Sequence, residues 1–497
     1  MRILLAATAL LLPALFHAQF QVDLDEIMSD FNLMGMSVVT VCDGEVQEIY
    51  HGGLKDATRT LQVDDSTMYR IASVSKTITA TGMMLLYDQG LFEWETDISD
   101  ILGYEVRNPI HQEVPITVEM VLSHRSSFQD GSGYNDFLGV TYASSSPPNI
   151  SELIVPGGDY YTANMWRTEA PGTFFAYSNI NFGLVATLME KLSGQRFDVF
   201  MREQLFEPMG LAGSYNVADI ENIDNLAVLY RNQGGWTPQV DNFQGVAPAP
   251  VNLPDYEPGT NGSYFGPQGG LRMSALDLAK LMQLHIDNGF FEGQQLIQPS
   301  TMAAMRTPLY TYDGTNGDNY YGLFRSWGRG IQRVTNTPNG DVVLEMEMWG
   351  HPGEAYGLIS DWYYDPDTGY GVIFMTNGAY DGFSFGEYSA FYTLEEAVFE
   401  AVMDNALGNC TVNVPQSELE APVVAPNPAD DVLEVKPRTP FWKRWLIRDV
   451  QGRVLATSDN PGGLGSFHID VRNIPTGMYV LELHTEHEKQ AIRWVKS

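Results

Sequence analysis

Strand-forming sequence stands at both ends of residues 19–410, with mostly helical sequence between. Residues 37–41 and 45–50 alternate around Asp43-Gly44, a hairpin turn signal, and residues 342–349, 357–364 and 369–375 read as three more strands. A strand leaves backbone donors and acceptors open until it finds a neighbour, so the two ends must meet in one sheet. The sequence between them then forms a lobe inserted into the sheet's connectivity. Residues 22–32 and 393–407 have amphipathic spacing and supply helices to cover the sheet. The expected class is α/β (α+β): an antiparallel sheet flanked by helices, with an inserted helical lobe and a small C-terminal β-sandwich.

The sandwich is read from the tail. Residues 423–497 carry 10 basic and 9 acidic side chains, whereas residues 19–422 carry 17 and 53, so the two parts present different surfaces. Pro415, Pro422, Pro426 and Pro428 punctuate a polar, extended stretch over 411–428; the linker is placed at 411–422 and the sandwich at 423–497. Short alternating runs at 432–435, 445–447, 453–455, 467–471 and 478–483 are separated by turn signals at Gln451-Gly452, Pro461-Gly462-Gly463 and Pro475-Thr476-Gly477. At the other terminus, Met1-Arg2, an apolar run over 3–12 and a break ending at Ala18 have the layout of a secretory signal peptide over 1–18. No other apolar run approaches the roughly 18 residues a membrane span needs. An exported mature chain with no transmembrane segment is expected.

With 28 basic against 62 acidic side chains the net charge is −34, which repels nucleic acid and removes it as a partner. The two cysteines, Cys42 and Cys410, with no CxxC and no HExxH, build no zinc cluster, and no metal or other cofactor is expected. Cys42 ends the first strand and Cys410 follows the last helix; a disulfide and two buried thiols both remain open.

The chemistry starts from the lysines. Of eight, Lys76 alone has a serine three residues earlier, Ser73, at the start of an apolar helix over 73–87. Three residues apart on a helix is one face and one turn, so the amine reaches the hydroxyl, and the helix start aims backbone N–H groups at developing negative charge. Ser-x-x-Lys by itself is weak, because chance supplies about one or two in a chain this long.

Two further stretches add weight: Ala170-Pro171-Gly172 leading to Tyr177-Ser178-Asn179 before an apolar helix, and Trp349-Gly350-His351-Pro352-Gly353-Glu354 read as directly preceding a strand. With Phe206-Glu207-Pro208-Met209-Gly210-Leu211 and residues 269–279, these resemble the serine β-lactamase and penicillin-binding protein superfamily in its class C-like branch, across most of residues 21–405. The resemblance implies that Ser73 forms an acyl-enzyme, with Lys76 and Tyr177 sharing the proton transfers and the choice of base between them open. It implies that Asn179 orients Lys76 and the substrate amide, that His351 and Gly353 line the substrate, and that the N–H groups of Ser73 and Glu354 form the oxyanion hole. Small-molecule or peptide substrates follow: an ester, a small amide or a D-amino-acid peptide. The alternatives are a true β-lactamase, a D-alanyl-D-alanine carboxypeptidase, or a silent relative that binds peptidoglycan or a partner protein.

Residues 425–429, 449–454 and 474–480 resemble the C-terminal sorting domain of type IX secretion substrates. That resemblance implies passage through the periplasm, engagement of the outer-membrane secretion machinery, and a secreted or cell-surface destination.

Departures matter. His351-Pro352-Gly353 stands where many relatives carry Lys-Thr-Gly, and a neutral imidazole holds a carboxylate less well than lysine does, so penicillin-type substrates are disfavoured. His124-Arg125-Ser126-Ser127 departs from His-Thr-Ser-Gly, and His124 reads as structural. Tyr230-Arg231-Asn232 lacks the flanks of the Tyr177 motif. Gly382-Phe383-Ser384-Phe385-Gly386 lacks the strand that a nucleophile elbow requires. Asp365-Pro366-Asp367-Thr368-Gly369 reads as a hairpin connection rather than a calcium loop. Trp327 and Trp349 are placed near the pocket.

Overall fold

The computed structural model describes residues 18–42, 44–335, 346–380, 383–405, 423–425, 429–436, 442–449, 453–463, 467–484 and 489–496. The chain separates into two compact units, Met1–Leu407 and Gly408–Ser497.

A nine-stranded sheet organises the first unit. Its spatial order is Tyr310–Thr311, Ser326–Trp327, Gln332–Val334, Met348–Ala355, Leu358–Asp365, Tyr370–Thr376, Gly35–Cys42, Glu45–Asp56 and Leu61–Gln62, with every neighbouring pair antiparallel. The two ends of the domain meet where Gly35–Cys42 lies against Tyr370–Thr376, with Met36 opposite Thr376 and Val41 opposite Gly371. Every residue of Gly35–Cys42 is buried, as its nearly continuous apolar sequence requires of a strand covered on both faces. On one face Val39, Val41, Trp362 and Ile373 pack with the helices Val74–Asp88 and Ala275–Ile286. On the other, Val38, Ile359, Tyr363 and Phe374 pack with residues of the 18–30 and Thr393–Asn405 helices. The inserted lobe carries Val118–Leu122, Tyr134–Ala143 and Ile180–Ser193.

Several boundaries move. The first helix spans 18–30 rather than 22–32 and is followed by Asn32 at φ 48°, a left-handed position that asparagine tolerates. The second strand runs to Asp56. The strand placed at 342–349 occupies Met348–Ala355, so the His351-Pro352-Gly353-Glu354 stretch lies within a strand, not before one. Residues 336–345, Asp43, residues 1–17 of the signal peptide expected over 1–18, and the stretch 411–422 expected as a linker lie outside the described residues. Cys42 is disulfide-bonded, and Cys410 lies outside the described residues.

In the second unit a three-stranded sheet (Val423–Ala425, Val432–Lys436, Phe467–Asp470) and a four-stranded sheet (Val454–Gly463, Trp442–Asp449, Gly477–His484, Lys489–Lys496) share one core. Leu433, Val435, Ile447, Ile469, Leu481 and Trp494 fill it. Two readings change. Residues 423–425, placed in the extended stretch, pair with Val432–Lys436, and Pro461-Gly462-Gly463 ends a strand, with Gly463 opposite Trp442, rather than forming a turn.

Candidate active site

Ser73 is the N-cap of the Val74–Asp88 helix, yet its side chain makes no capping bond. A serine there ordinarily spends its oxygen on the helix's own N–H groups. Here Lys76 Nζ lies 2.9 Å from Ser73 Oγ, and it also donates to the Gln268 carbonyl at 2.8 Å. Ala72, immediately before, is held at φ 47°, a strained conformation for a residue with a Cβ and one that persists only where the surroundings enforce it. Those surroundings include the 267–271 segment, tied to the helix where Leu271 N–H donates to Ser75 Oγ and Thr79 donates to the Pro267 carbonyl.

Lys76 is fully buried, and burial pushes its pKa down to about 7, with the Asp130 charge acting the other way. Its amine stands 4.9 Å from the centre of the Tyr177 ring. Burial holds the Tyr177 phenol well above the ordinary tyrosine range, partly offset by a hydrogen bond with Ser73. Tyr177 is therefore a neutral phenol at physiological pH.

His124 holds that tyrosine in place. Its carbonyl accepts from Ala176 N–H at 2.9 Å, and its Nδ1 accepts from Ser178 N–H at 3.2 Å and from the Asn181 amide at 3.1 Å. Its ring lies 4.6 Å from the Tyr177 ring. With Nδ1 accepting and the ring buried, His124 is neutral with the proton on Nε2.

Asn179 is placed by Asp130. The Asp130 carboxylate accepts from Asn179 N–H at 3.0 Å, from its side-chain amide at 2.8 Å and from Ile180 N–H at 3.0 Å, which caps the Ile180–Ser193 helix. Lys76 bonds Ser73 and the Gln268 carbonyl and not Asn179, whose side-chain amide donates to Asp130. Asp130 and Gln268 were missed in the sequence. Asp130 caps a helix far along the chain, and Gln268 acts through its backbone, for which side-chain identity gives no signal.

The Met348–Ala355 strand forms the opposite wall. Ala355 pairs with Leu358 across a two-residue turn in which Tyr356 (φ 58°) and Gly357 (φ 96°) are both left-handed. The pair flanking such a turn exchanges both hydrogen bonds, so the bonded positions are Ala355, Gly353 and His351. The N–H of Glu354 therefore points away from Leu358–Asp365, towards the open edge. Pro352, also facing that edge, loses no ladder bond by lacking an N–H. Gly353 presses on the Ser73 backbone: a Cβ there would lie 2.8 Å from the Ile71 carbonyl and 3.2 Å from Ser73 N, so only glycine allows this approach.

His351 is fully buried, and burial, with Lys76 beside it, lowers its pKa to about 3. Nδ1 contacts the Pro352 carbonyl at 2.5 Å, and a carbonyl only accepts, so Nδ1 carries the proton. Nε2 is then an acceptor 3.5 Å from the Tyr177 hydroxyl. The Glu354 side chain turns outward and accepts from the Tyr392 hydroxyl at 2.7 Å.

Of the two tryptophans, Trp327 lies under the site, 5.2 Å from His351 and 5.8 Å from Tyr177. Trp349 instead joins the large core with the Arg333 guanidinium 5.9 Å from its ring, on the same face of the strand as His351 but two residues farther along. Tyr230 is buried with its hydroxyl accepting from Ala57 N–H. Ser384 sits in an exposed bend with no strand running into it, and Gly382 lies outside the described residues. Asp365 accepts from Asp367 N–H and Thr368 within its hairpin connection.

Comparison with known proteins places this geometry in a family. The Beta-lactamase family model matches residues 23–394, and the model for the secretion system C-terminal sorting domain matches residues 423–497. Penicillin-binding protein 4 of Amycolatopsis lactamdurans is 24% identical over 418 residues, covering 83% of this chain and 95% of that protein. A D-aminopeptidase of Gluconobacter oxydans is 24% identical over 46% of this chain and 41% of its own length. Among solved structures, the octameric penicillin-binding protein homologue from Pyrococcus abyssi superposes with a TM-score of 0.58 at 18% identity, covering 97% of this chain and 96% of that one. The D-amino acid amidase from Ochrobactrum anthropi complexed with D-phenylalanine gives 0.54 at 19% identity, covering 78% and 99%. No helix among the described residues is long and apolar enough to cross a membrane, and the sorting domain marks the chain for secretion or the cell surface. The chain belongs to the beta-lactamase family of serine hydrolases and carries a secretion sorting domain at its C-terminus.

Proposed function

We propose that the protein hydrolyses an ester, a small amide or a D-amino-acid peptide through an acyl-enzyme on Ser73. The observation that carries this reading is the buried Lys76 amine, 2.9 Å from the Ser73 hydroxyl with its pKa brought down to about 7. A neutral amine has a lone pair for the Ser73 proton and still donates to Gln268. Lys76 is thus the base. Tyr177, held as a phenol, is unsuited to that task and suited to pass a proton onward.

Ser73 Oγ attacks the acyl carbon while its proton moves to Lys76. The tetrahedral oxyanion is held by the N–H groups of Ser73 and Glu354, a pair worth several kcal/mol in such sites. The bond to the leaving group then breaks, Tyr177 gives that group its proton, and Lys76 restores the proton to Tyr177. Water repeats the sequence on the acyl-enzyme and frees Ser73. His351, neutral and spending its N–H on Pro352, supplies no cation for a penicillin-type carboxylate. Asn179, set by Asp130, and Gly353 shape the cleft for the substrate amide.

For export, residues 1–18 act as a signal peptide removed after Ala18, residues 411–422 link the catalytic domain to the tail, and residues 423–497 engage the outer-membrane secretion machinery from the periplasm.

A fluorophosphonate probe tests the nucleophile: labelling of the wild type and none of Ser73→Ala is expected, and a folded wild type that resists labelling defeats the reading. A panel of short-chain esters and a chromogenic cephalosporin tests the substrate, with esters expected to be the better substrates. The reverse order would assign a β-lactamase.

A further inference from the structure

Arg70 closes the Met68–Arg70 strand three residues before Ser73. Its Nε donates to the Gly269 carbonyl at 3.0 Å, next to the Gln268 carbonyl that receives Lys76. Among the described residues no carboxylate pairs with it. The nearby Asp241 is spent on Arg272, accepting from its Nε at 3.1 Å and Nη2 at 2.8 Å. Arg272 stands opposite Arg70 in the strand pair, so one positive charge is neutralised and the other is left over. Residues 19–422 carry 53 acidic side chains against 17 basic, so a shortage of carboxylates does not explain the vacancy. A half-buried guanidinium with open donors is costly unless an anion meets it.

Its surroundings are shaped. The guanidinium carbon lies 5.0 Å from the centre of the Tyr356 ring, within cation–π distance. Arg70, Tyr142, Gly266 and Gly270 contribute to the wall of a cavity of about 220 Å³, room for a short chain of a few heavy atoms at roughly 30 Å³ per water-sized group. The active-site strand gives Arg70 a direction relative to the chemistry. His351 stands beside Tyr177, and Tyr356, just past Glu354, stands beside Arg70. Tyr177 serves the leaving group, so the acyl portion extends towards Tyr356.

We infer that Arg70 binds a carboxylate on the acyl portion of the substrate, carried on a short chain that occupies this cavity. The inference rests on the Ser73 acyl-enzyme reading. Preferred substrates are then acyl donors with a second, free carboxylate, such as a monoester of a dicarboxylic acid or an acylated acidic residue.

The test compares two p-nitrophenyl esters on the mature full chain. Mono-p-nitrophenyl glutarate ends in a carboxylate, and p-nitrophenyl 5-methylhexanoate has nearly the same shape without charge. The ratio of their kcat/KM values is expected to favour the glutarate by at least about tenfold, as a charge-assisted hydrogen bond supplies. It should fall to about one in Arg70→Met and remain intermediate in Arg70→Lys. A wild-type ratio near one, or a ratio unchanged in Arg70→Met, overturns the assignment. Free glutarate gives a measurement independent of folding of the variants: it should compete with the neutral ester in the wild type at constant ionic strength, and failure to compete also overturns the site. Turnover of the neutral ester without charge preference defeats Arg70 alone, whereas an absence of turnover and of Ser73 labelling defeats the acyl-enzyme reading.

Discussion

The backbone on either side of Tyr177 is tied to one residue, His124, whose carbonyl receives Ala176 N–H and whose Nδ1 receives Ser178 N–H. His124 positions the phenol without itself touching the reacting atoms. Replacing it with alanine removes the side-chain acceptor and leaves a cavity beneath the Tyr177 ring. His124→Ala is expected to lower kcat by about ten- to a hundredfold, as a displaced catalytic group does. His124→Asn, which restores an acceptor near Nδ1, should recover part of that loss. Equal defects in the two variants would remove the positioning role.

The Lys76 pKa near 7 sets a pH profile. On a neutral ester, kcat/KM should rise with pH as the amine loses its proton, with the half-maximum near pH 7. Lys76→Arg keeps a permanent cation in place of the base and should lose activity at least about a hundredfold at every pH. A flat profile between pH 5 and 9 would exclude Lys76 as the base.

Tyr177→Phe removes the hydroxyl proposed to carry the proton while keeping the ring that packs against His124 and Phe324. Acylation measured in a stopped-flow burst should slow by at least about a hundredfold. Activity within a few-fold of the wild type would take Tyr177 out of the proton pathway.

Asp130→Ala should act in two ways. The Ile180–Ser193 helix loses its capping acceptor, at a cost of about 1 kcal/mol in a denaturant titration. Lys76 loses the one charge that raises its pKa, so the acidic limb of the activity profile should move to lower pH. A profile that shifts to higher pH would contradict this electrostatic picture.

A buried carboxyl pair lies on the sheet's other face. Asp361, opposite Pro352, has no protein donor for its oxygens among the described residues, and it faces the Glu395 carboxyl. Burial raises both, with the Glu395 charge adding to it at Asp361 and the Glu354 and Glu396 charges adding to it at Glu395, which reaches about 7 although its hydrogen bond with Asp361 acts the other way, so the native pair holds a proton that an unfolded chain releases near 4.5. The folded state binds the extra proton, so this contribution is full below about pH 4.5 and is lost as pH rises through 7. The melting temperature of the wild type relative to Glu395→Gln should therefore fall between pH 5 and 8. A constant difference over that range would rule out the shared proton.

Much of this was legible in the residues. The terminal strands announced themselves by apolar runs and turn pairs, and Ser73, Lys76 and Tyr177 by spacing and flanks. The 342–349 strand was placed too early because its true course contains Pro352 and two glycines, residues that depress any local strand signal while the open edge of the cleft tolerates them. Asp130, Gln268 and Arg70 left no mark. Each works through a contact made only after distant segments pack, and no local period encodes which carbonyl or carboxylate a folded chain will bring near.

The central seam joins Gly35–Cys42 to Tyr370–Thr376, and the active-site strand lies two places beyond it. The first strand of the sheet to emerge during synthesis must wait for nearly the whole catalytic domain before its inner edge is covered. Closure of such distant segments is slow and comes late in folding. A chain of this topology keeps the seam of its sheet open until Tyr370–Thr376 arrives, so the sheet that carries the wall opposite Ser73 closes only after most of the first unit has been made. That timing suits a protein bound for delivery beyond the cell that makes it.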